Sequence, residues 1–327
     1  MTIAFTLCSI NYLAQARTLG DSLASTNPDI SYFIGLVDRL EGVAFDPAYQ
    51  PAYPLVEVHT IGIDGFDDMC ERYNITELNT AVKPFYFTYF FQRFAEATNV
   101  IYFDPDIIVY QPLGGLLRSL GTSEAVLTPH INCPVNDRKT PNELHHLNTG
   151  VYNLGFVAFR RSTQTLAYIR WWEEKLRYEC LIALCEGLFV DQNWMNFLPL
   201  FVPNTHIERE PGYNAAYWNL HERYFSEREG TFWVNEKYPL IFFHYSGYDP
   251  ARPEVLSKYQ DRFELKERPD TQALFEIYRE RLIRNGNEYY RRFACCYIKP
   301  PKVYRYVRVR AWLKKPLNFL IAQLDTH

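Results

Sequence analysis

Two apolar runs of strand length, residues 3–8 and 32–37, flank a segment whose apolar residues recur at helical spacing: Leu13, Ala16, Leu19 or Gly20, and Leu23. Asn11 stands where a helix cap belongs, and Asn27-Pro28 ends the segment. A strand, a helix and a second strand in this order form a βαβ unit. The helix carries the chain back to the end it started from, so the two strands run parallel and the crossover is right-handed. A parallel sheet needs helices on its faces. The chain therefore reads as α/β, with a mixed, mostly parallel central sheet flanked by helices. Its 327 residues are 47% apolar, enough for a sizeable core. Aromatics reach 17%, and Tyr- and Trp-rich surfaces suit sugars or partners as well as core packing.

In such sheets ligands bind beyond the carboxyl ends of the strands. Thr6, Cys8, Ser9, Asn11, Tyr12 and Asp38 lie there and are candidate ligand contacts. Neither a Gly-x-Gly-x-x-Gly fingerprint nor a P-loop is present. Further along, an apolar run over 100–103 stops at Asp104-Pro105-Asp106, and a second run, 107–109, follows. Carboxylates at i and i+2 point to one side of an extended chain. Pro105 fixes φ and favours a tight turn. Two hard oxygen ligands in one place suit Mg²⁺ or Mn²⁺. The same tripeptide also suits an ordinary solvated turn.

Thr80 reads as the cap of a helix running to about residue 98, with Lys83 on its first turn. A lysine there opposes the helix dipole, so it is either solvated or held for an anionic ligand. Residues 130–147 read as a polar, mobile loop, with His130, His145 and His146 as surface residues. Residues 148–159 read as a strand pair or a bulged strand, and 162–184 as a long helix. Asp191 is a cap candidate for the helix that follows it, and with Gln192 a candidate active-site pair. An apolar run at 240–243 ends in His244, which is either a core residue or a metal ligand.

Composition shifts at about residue 251, giving residues 1–250 and a 251–327 extension with charged, paired helices over 254–290. Residues 276–327 hold 12 basic and 4 acidic side chains, leaving 22 basic and 34 acidic in residues 1–275. The acidic body excludes a nucleic-acid binder. The basic, aromatic stretch 291–327 suits anionic lipid headgroups, and equally a solvated or oligomer-forming tail. Seven cysteines follow no metal-ligand spacing and read as reduced thiols. With no signal peptide and no apolar stretch near 20 residues, the expectation is a cytoplasmic protein, with a peripheral place at the inner face of the membrane open to the tail.

The order of these features resembles the GT-A nucleotide-sugar glycosyltransferases, and most closely family 8, over about residues 1–250. Asn11-Tyr12-Leu13 is similar to that family's nucleotide-binding start, and Asp104-Pro105-Asp106 to its Asp-x-Asp motif. Asn153-Leu154-Gly155 is similar to its Asn-x-Gly strand, with Asn148-Thr149-Gly150 as a rival. Asp191-Gln192 with Asn196 is similar to its helix start, and His244-Tyr245-Ser246-Gly247 to its metal-histidine motif.

The resemblance implies a Rossmann-like GT-A domain over 1–250 that takes a nucleotide-sugar donor, most often a UDP-sugar, and a Mn²⁺ or Mg²⁺ ion on Asp104, Asp106 and His244. It implies transfer to a glycan or lipid-linked acceptor with retention of configuration, with Asp191, Gln192, Asn153 and Lys83 as catalytic candidates and Gly247 among the donor contacts. If Asp191 instead deprotonated the acceptor in line, the product would invert. The family's motif continues to a lysine that touches the diphosphate. Here Tyr248-Asp249-Pro250-Ala251 follows Gly247, and Lys83 or Arg252 is the expected substitute. Two alternatives stay open: a relative that binds a nucleotide sugar or glycan without turnover, and a sugar nucleotidyltransferase. The latter lacks the Gly-rich, Arg-containing loop it would need after the first strand.

Overall fold

Alternation along the strands decides how the sheet is covered. The computed structural model describes residues 1–298. Its largest sheet uses β1 (Thr2–Cys8), β2 (Ile30–Leu36), β3 (Leu55–Glu57) and β4 (Asn99–Phe103). After β5 (Ile107–Val109), which lies in another sheet, come β6 (Ala125–Pro129), β7 (Tyr152–Arg160) and a seventh strand, Thr205–Ile207. Across this sheet the order is Thr205–Ile207, β6, β7, β4, β1, β2, β3. Only β7 runs antiparallel to its neighbours. The mixed, mostly parallel sheet expected from the sequence is thus present, and β1 and β2 pair in parallel from Thr2↔Ile30 to Cys8↔Leu36.

Ile3, Phe5 and Leu7 of β1, with Val100 and Tyr102 of β4, face one side, while Ala4, Cys8, Ile101 and Phe103 face the other. The second side is covered by α1 (Leu13–Thr26). The first is covered by α2 (Phe66–Arg72), α3 (Ile75–Ala81) and the aromatic α4 (Lys83–Arg93). Next in the chain, α5 (Gly114–Thr122) joins α1. After α6 (Glu143–Thr149), α7 (Thr163–Tyr178) packs beside α4. Phe87 of α4 meets Phe5 and Phe159 edge-on, at 4.9 and 5.0 Å between ring centres, which locks α4 to the sheet.

A second, smaller sheet positions the site. The chain turns at Asp104-Pro105-Asp106 and leaves the large sheet as β5. There β5 pairs antiparallel with the strand Phe242–His244, with His244 opposite Ile107. Phe242–His244 also pairs in parallel with Ala215–Ala216. Beneath them, Phe243 and Tyr245 pack on Leu274, Phe275 and Tyr278 of the helix Gln272–Arg284. The rings of Tyr245 and Tyr278 stack at 4.0 Å.

Several local expectations are corrected. Asn11 does not cap α1, because Ile10–Tyr12 form a short 3-10 turn, and the amide of Ile10 donates to Asp38 Oδ2 at 3.2 Å. Thr80 lies inside α3, whose cap is Asn74 with Glu77 in a reciprocal box. α7 ends at Tyr178, and the strands Ile182–Ala183 and Leu188–Phe189 follow as a small hairpin. Asn148 and Thr149 belong to α6, and Gly150 (φ 113°) turns the chain into β7. Over 254–290 the chain forms two short 3-10 turns, Leu265–Glu267 and Pro269–Thr271, and two α-helices, Gln272–Arg284 and Asn287–Tyr290. The basic tail from residue 299 onward lies outside the described residues. All seven cysteines are free of disulfides. Among the described residues no helix is long and apolar enough to cross a membrane.

Candidate metal and donor site

Asp104 and Asp106 flank the turn where the chain passes from one sheet to the other, and strand pairing brings His244 against them. Ligating atoms of the three lie within 4.8 Å of one another. His244 Nε2 is 2.9 Å from Asp106 Oδ1 and 3.6 Å from Asp104 Oδ2. The ring is buried, whereas the Asp104 and Asp106 side chains are 30% and 23% exposed, so the cluster opens on one side. Burial disfavours a charged imidazole, but Asp106 and then Asp104 outweigh it, and the His244 pKa lies above its usual value. Two carboxylates and an imidazole nitrogen, one face open, fit a Mn²⁺ or Mg²⁺ ion that keeps positions for phosphate oxygens. His244 Nδ1 is buried without a hydrogen-bond partner. Gly155 explains how the ring fits: a Cβ at that position would overlap the imidazole. This is a close approach that only glycine permits.

A second group lies behind the first, linked through Tyr102. The Tyr102 hydroxyl donates to Asp104 Oδ1 at 2.5 Å, and its ring face carries the Lys83 ammonium at 4.1 Å. Lys83 Nζ donates to Asp191 Oδ2 at 2.5 Å and to the Leu154 carbonyl at 2.9 Å. Lys83 and Asp191 are 1% and 2% exposed. Burial pushes the Asp191 carboxyl upward, against the pull of Lys83. Asp191 makes no side-chain cap to the 3-10 turn Asn193–Phe197, because its carboxylate faces Lys83 instead. Just before it, Val190 has φ 42°, a strained conformation for a β-branched residue. Gln192 is held at both ends of its amide: Nε2 donates to the Thr149 carbonyl at 2.7 Å, and Oε1 accepts from the Leu154 amide at 3.1 Å. Asn153 Oδ1 accepts from the Gly155 amide (3.1 Å) and Asn214 Nδ2 (3.0 Å).

The candidate nucleoside end lies at the carboxyl ends of β1 and β2. Thr6 and Cys8 are buried within β1, and the Ser9 hydroxyl donates to the Val37 carbonyl at 3.2 Å. Asn11 is half-buried and Tyr12 is exposed. Asp38 is buried and accepts from three backbone amides, Ile10 at 3.2 Å, Arg39 at 3.0 Å and Cys296 at 2.9 Å. Its carboxylate thus clamps the loop after β1 and the segment around Cys296. Gly247 closes the turn after His244 with φ 75°.

Sequence reasoning missed a set of buried polar residues, and it misplaced two histidines. His130 and His146 are buried, not surface residues, and their rings stack at 4.6 Å. The correction follows from α6, whose reciprocal cap at Asn142 turns His146 inward within what read as a loop. His130 Nε2 accepts from Asn153 Nδ2 at 3.2 Å. Trp218 stands edge-on to both His130 (5.3 Å) and His244 (5.2 Å). Asn214 (φ 50°) bonds Thr128 Oγ1 and Asn153, and Asn219 Nδ2 bonds the His130 and Asn214 carbonyls. The one local signal was Pro211-Gly212-Tyr213-Asn214, legible only as a turn.

This network predicts acid lability. Burial, then the positive charge of His145, lowers the His146 pKa to about 4, and burial with His146 nearby pushes His130 well below its usual value. In the unfolded chain both rings protonate near 6.5. Below that pH the unfolded state binds more protons, so stability is lost as pH falls from about 6.5 towards 4, by up to roughly 1.4 kcal/mol per unit for each ring. Urea unfolding at pH 7.5 and pH 5 should show the loss, with a shallower pH slope in His146→Gln. A slope identical in the two proteins would refute it.

No protein-family model matches the chain. It is 26% identical over 284 residues to the uncharacterized protein YfnF of Bacillus subtilis (strain 168), across 86% of this chain and 92% of that one. It is 22% identical over 170 residues to the uncharacterized protein YfnD of the same organism, across 51% and 52%. Similar solved structures include the galactosyltransferase LgtC in complex with donor and acceptor sugar analogs, at 15% identity and TM-score 0.47, covering 86% of this chain and 95% of that one. The glycosyltransferase GlyE of Streptococcus pneumoniae TIGR4 has 16% identity and TM-score 0.47, covering 93% and 65%. The bifunctional WbbM has 13% identity and TM-score 0.48, covering 86% and 49%.

Proposed function

We propose that this chain is a metal-dependent glycosyltransferase. It moves a sugar from a nucleoside-diphosphate donor, UDP by family resemblance, to a glycan or lipid-linked acceptor with retention of configuration. The observation that carries this reading is the meeting of Asp104, Asp106 and His244 at the carboxyl end of β4, with Asp191 and Gln192 held directly behind them. A bound Mn²⁺ or Mg²⁺ supplies positive charge to a departing diphosphate. The protein's part is to prepare the place. Tyr102 orients Asp104, and Gly155 leaves room for the His244 ring. Lys83 holds Asp191, which orients donor hydroxyls, and so acts as a positioning residue for that carboxylate. Gln192 and Asn153 line the sugar pocket from rigid backbone.

Thr6, Cys8, Ser9, Asn11 and Tyr12 form the nucleoside end, with Asp38 shaping it through the Ile10 amide. Gly247 borders the diphosphate. Residues 1–250 carry the chemistry, and residues 251–327 form an extension whose helix Gln272–Arg284 props the strand bearing His244. In this reading the protein works in the cytoplasm, and 291–327 is the segment that contacts the inner face of the membrane.

Thermal stabilisation by a panel of nucleotide sugars, with and without Mn²⁺, tests the reading. A ligand at about 100 times its Kd adds roughly 2.7 kcal/mol, a shift of a few degrees for a chain this long. A shift with one donor that needs the metal is the expected result, and no shift with any donor would refute the reading. Multiple-turnover transfer separates an enzyme from a binding relative, and the product anomer tests retention.

A further inference from the structure

A carboxylate held out of water needs hydrogen-bond donors, and Asp38 takes three from the backbone. It is 1% exposed and accepts from the amides of Ile10, Arg39 and Cys296. Two of these amides belong to the loops that follow β1 and β2. The third comes from 258 positions further along, in the stretch that composition assigns to the C-terminal extension.

Its neighbours make the same connection. Cys295 is buried, and its thiol donates to the Val37 carbonyl at 3.3 Å, the oxygen that also accepts from the Ser9 hydroxyl at 3.2 Å. The Tyr297 hydroxyl accepts from Arg39 Nε at 3.3 Å, and its ring meets Phe66 edge-on at 5.3 Å. Phe293 packs on Phe45 with ring centres 5.6 Å apart. The chain leading into this stretch is fixed as well: Asn287 Oδ1 accepts from Gln15 Nε2 at 3.1 Å, and the Tyr290 hydroxyl donates to the Tyr49 carbonyl. Residues 293–297 therefore lie across the carboxyl ends of β1 and β2, bonded at Ser9's partner oxygen and at the loop after β2.

In a parallel sheet that end is where a ligand enters. Within 37–54 the one regular element is the 3-10 turn Pro47–Tyr49, so contacts from outside the loop decide where it stands. The strap supplies them at Val37, Asp38, Arg39 and Phe45. Cys295 is sealed beneath, whereas Cys296 is exposed and Tyr297 half-buried, so the strap also presents a surface at this end of the sheet.

We propose that residues 293–297 form the closing wall of the nucleoside subsite, with the Cys296 amide and the Tyr297 hydroxyl as positioning groups that hold the loops after β1 and β2 around the nucleoside. Asp38 is the latch of this wall. The assignment rests on the donor reading above and brings part of the segment beyond residue 250 into the donor site.

Cys296→Pro removes the amide that Asp38 accepts from, and Cys296→Ala keeps it. Tyr297→Phe removes the hydroxyl that Arg39 reaches. The full chain and these three variants are titrated with the diphosphates of uridine, guanosine, adenosine, cytidine and thymidine in the presence of Mn²⁺. Each is also titrated with inorganic pyrophosphate and Mn²⁺, which carry the charge without a nucleoside. For the diphosphate that binds the parent, Cys296→Pro should weaken affinity by about tenfold or more and Tyr297→Phe by about threefold. Cys296→Ala should match the parent, and pyrophosphate affinity should be the same in all four chains. Parent-like affinity of Cys296→Pro for the nucleoside diphosphate overturns the wall. An equal loss for pyrophosphate also overturns it, since that marks a general loosening. Should Cys296→Pro not fold, the same two comparisons on Tyr297→Phe decide. A parent chain that binds none of the nucleoside diphosphates overturns the donor reading and the wall with it.

Discussion

Replacing Lys83 with alanine should cost about 3–5 kcal/mol of stability, because it leaves the Asp191 carboxylate buried without a counter-charge. The pair is almost fully out of water, at 1% and 2% exposure, so water cannot take the place of the ammonium. The same change removes the hydrogen bond to the Leu154 carbonyl and the contact over Tyr102. The double variant Lys83→Ala with Asp191→Asn should recover part of the loss, because a neutral amide tolerates burial better than an unpaired carboxylate. Chemical denaturation of the parent, both single variants and the double variant measures this. A loss under about 1 kcal/mol in Lys83→Ala would mean that Asp191 finds water or another donor, and the rigid support assigned to it would be wrong. Because Lys83 precedes β4 and Asp191 follows β7, the pair also ties α4 to the chain beyond the sheet.

Asp106→Ala should have the largest effect on activity and little on stability. Its side chain is 23% exposed, and its ion-pair partner is His244. Losing one of three ligands should reduce transfer by about a thousandfold, in line with the several kcal/mol that a metal or an oriented donor contributes to a charged transition state. A chelator should cause a comparable loss in the parent and no further loss in the variant. Steady-state transfer with and without Mn²⁺ checks this, and a variant within tenfold of the parent would remove Asp106 from the site. The pH dependence has a definite sign. His244 holds its proton above the usual pH because of the two carboxylates, and a metal must displace that proton. Apparent metal affinity should therefore rise with pH until the ring is neutral.

Some of this was legible along the chain because it is local. Residues 3–8 form an apolar run of strand length, Leu13, Ala16, Leu19 and Leu23 recur at helical spacing, and these patterns name the strand and the helix before any contact is known. Asp104 and Asp106 share a side because i and i+2 do so in any extended chain. The helix bounds near Thr80 and residues 178–184 were less legible. There the Asn74–Glu77 box and the small hairpin after α7 competed with a smooth apolar pattern.

The amino-acid order alone settled the parallel α/β layers and the carboxylate pair, since a period or a two-residue spacing needs no distant partner. Tertiary pairing settled the rest of the site. His244 reaches Asp106 through the register of β5 with Phe242–His244, and Lys83 meets Asp191 across 108 positions of chain. His130 is buried because His146, Asn153 and Trp218 enclose it. Each of these depends on which faces meet and on which charges leave water together. Such terms arise between segments far apart in the chain, and no local pattern of residue types records them.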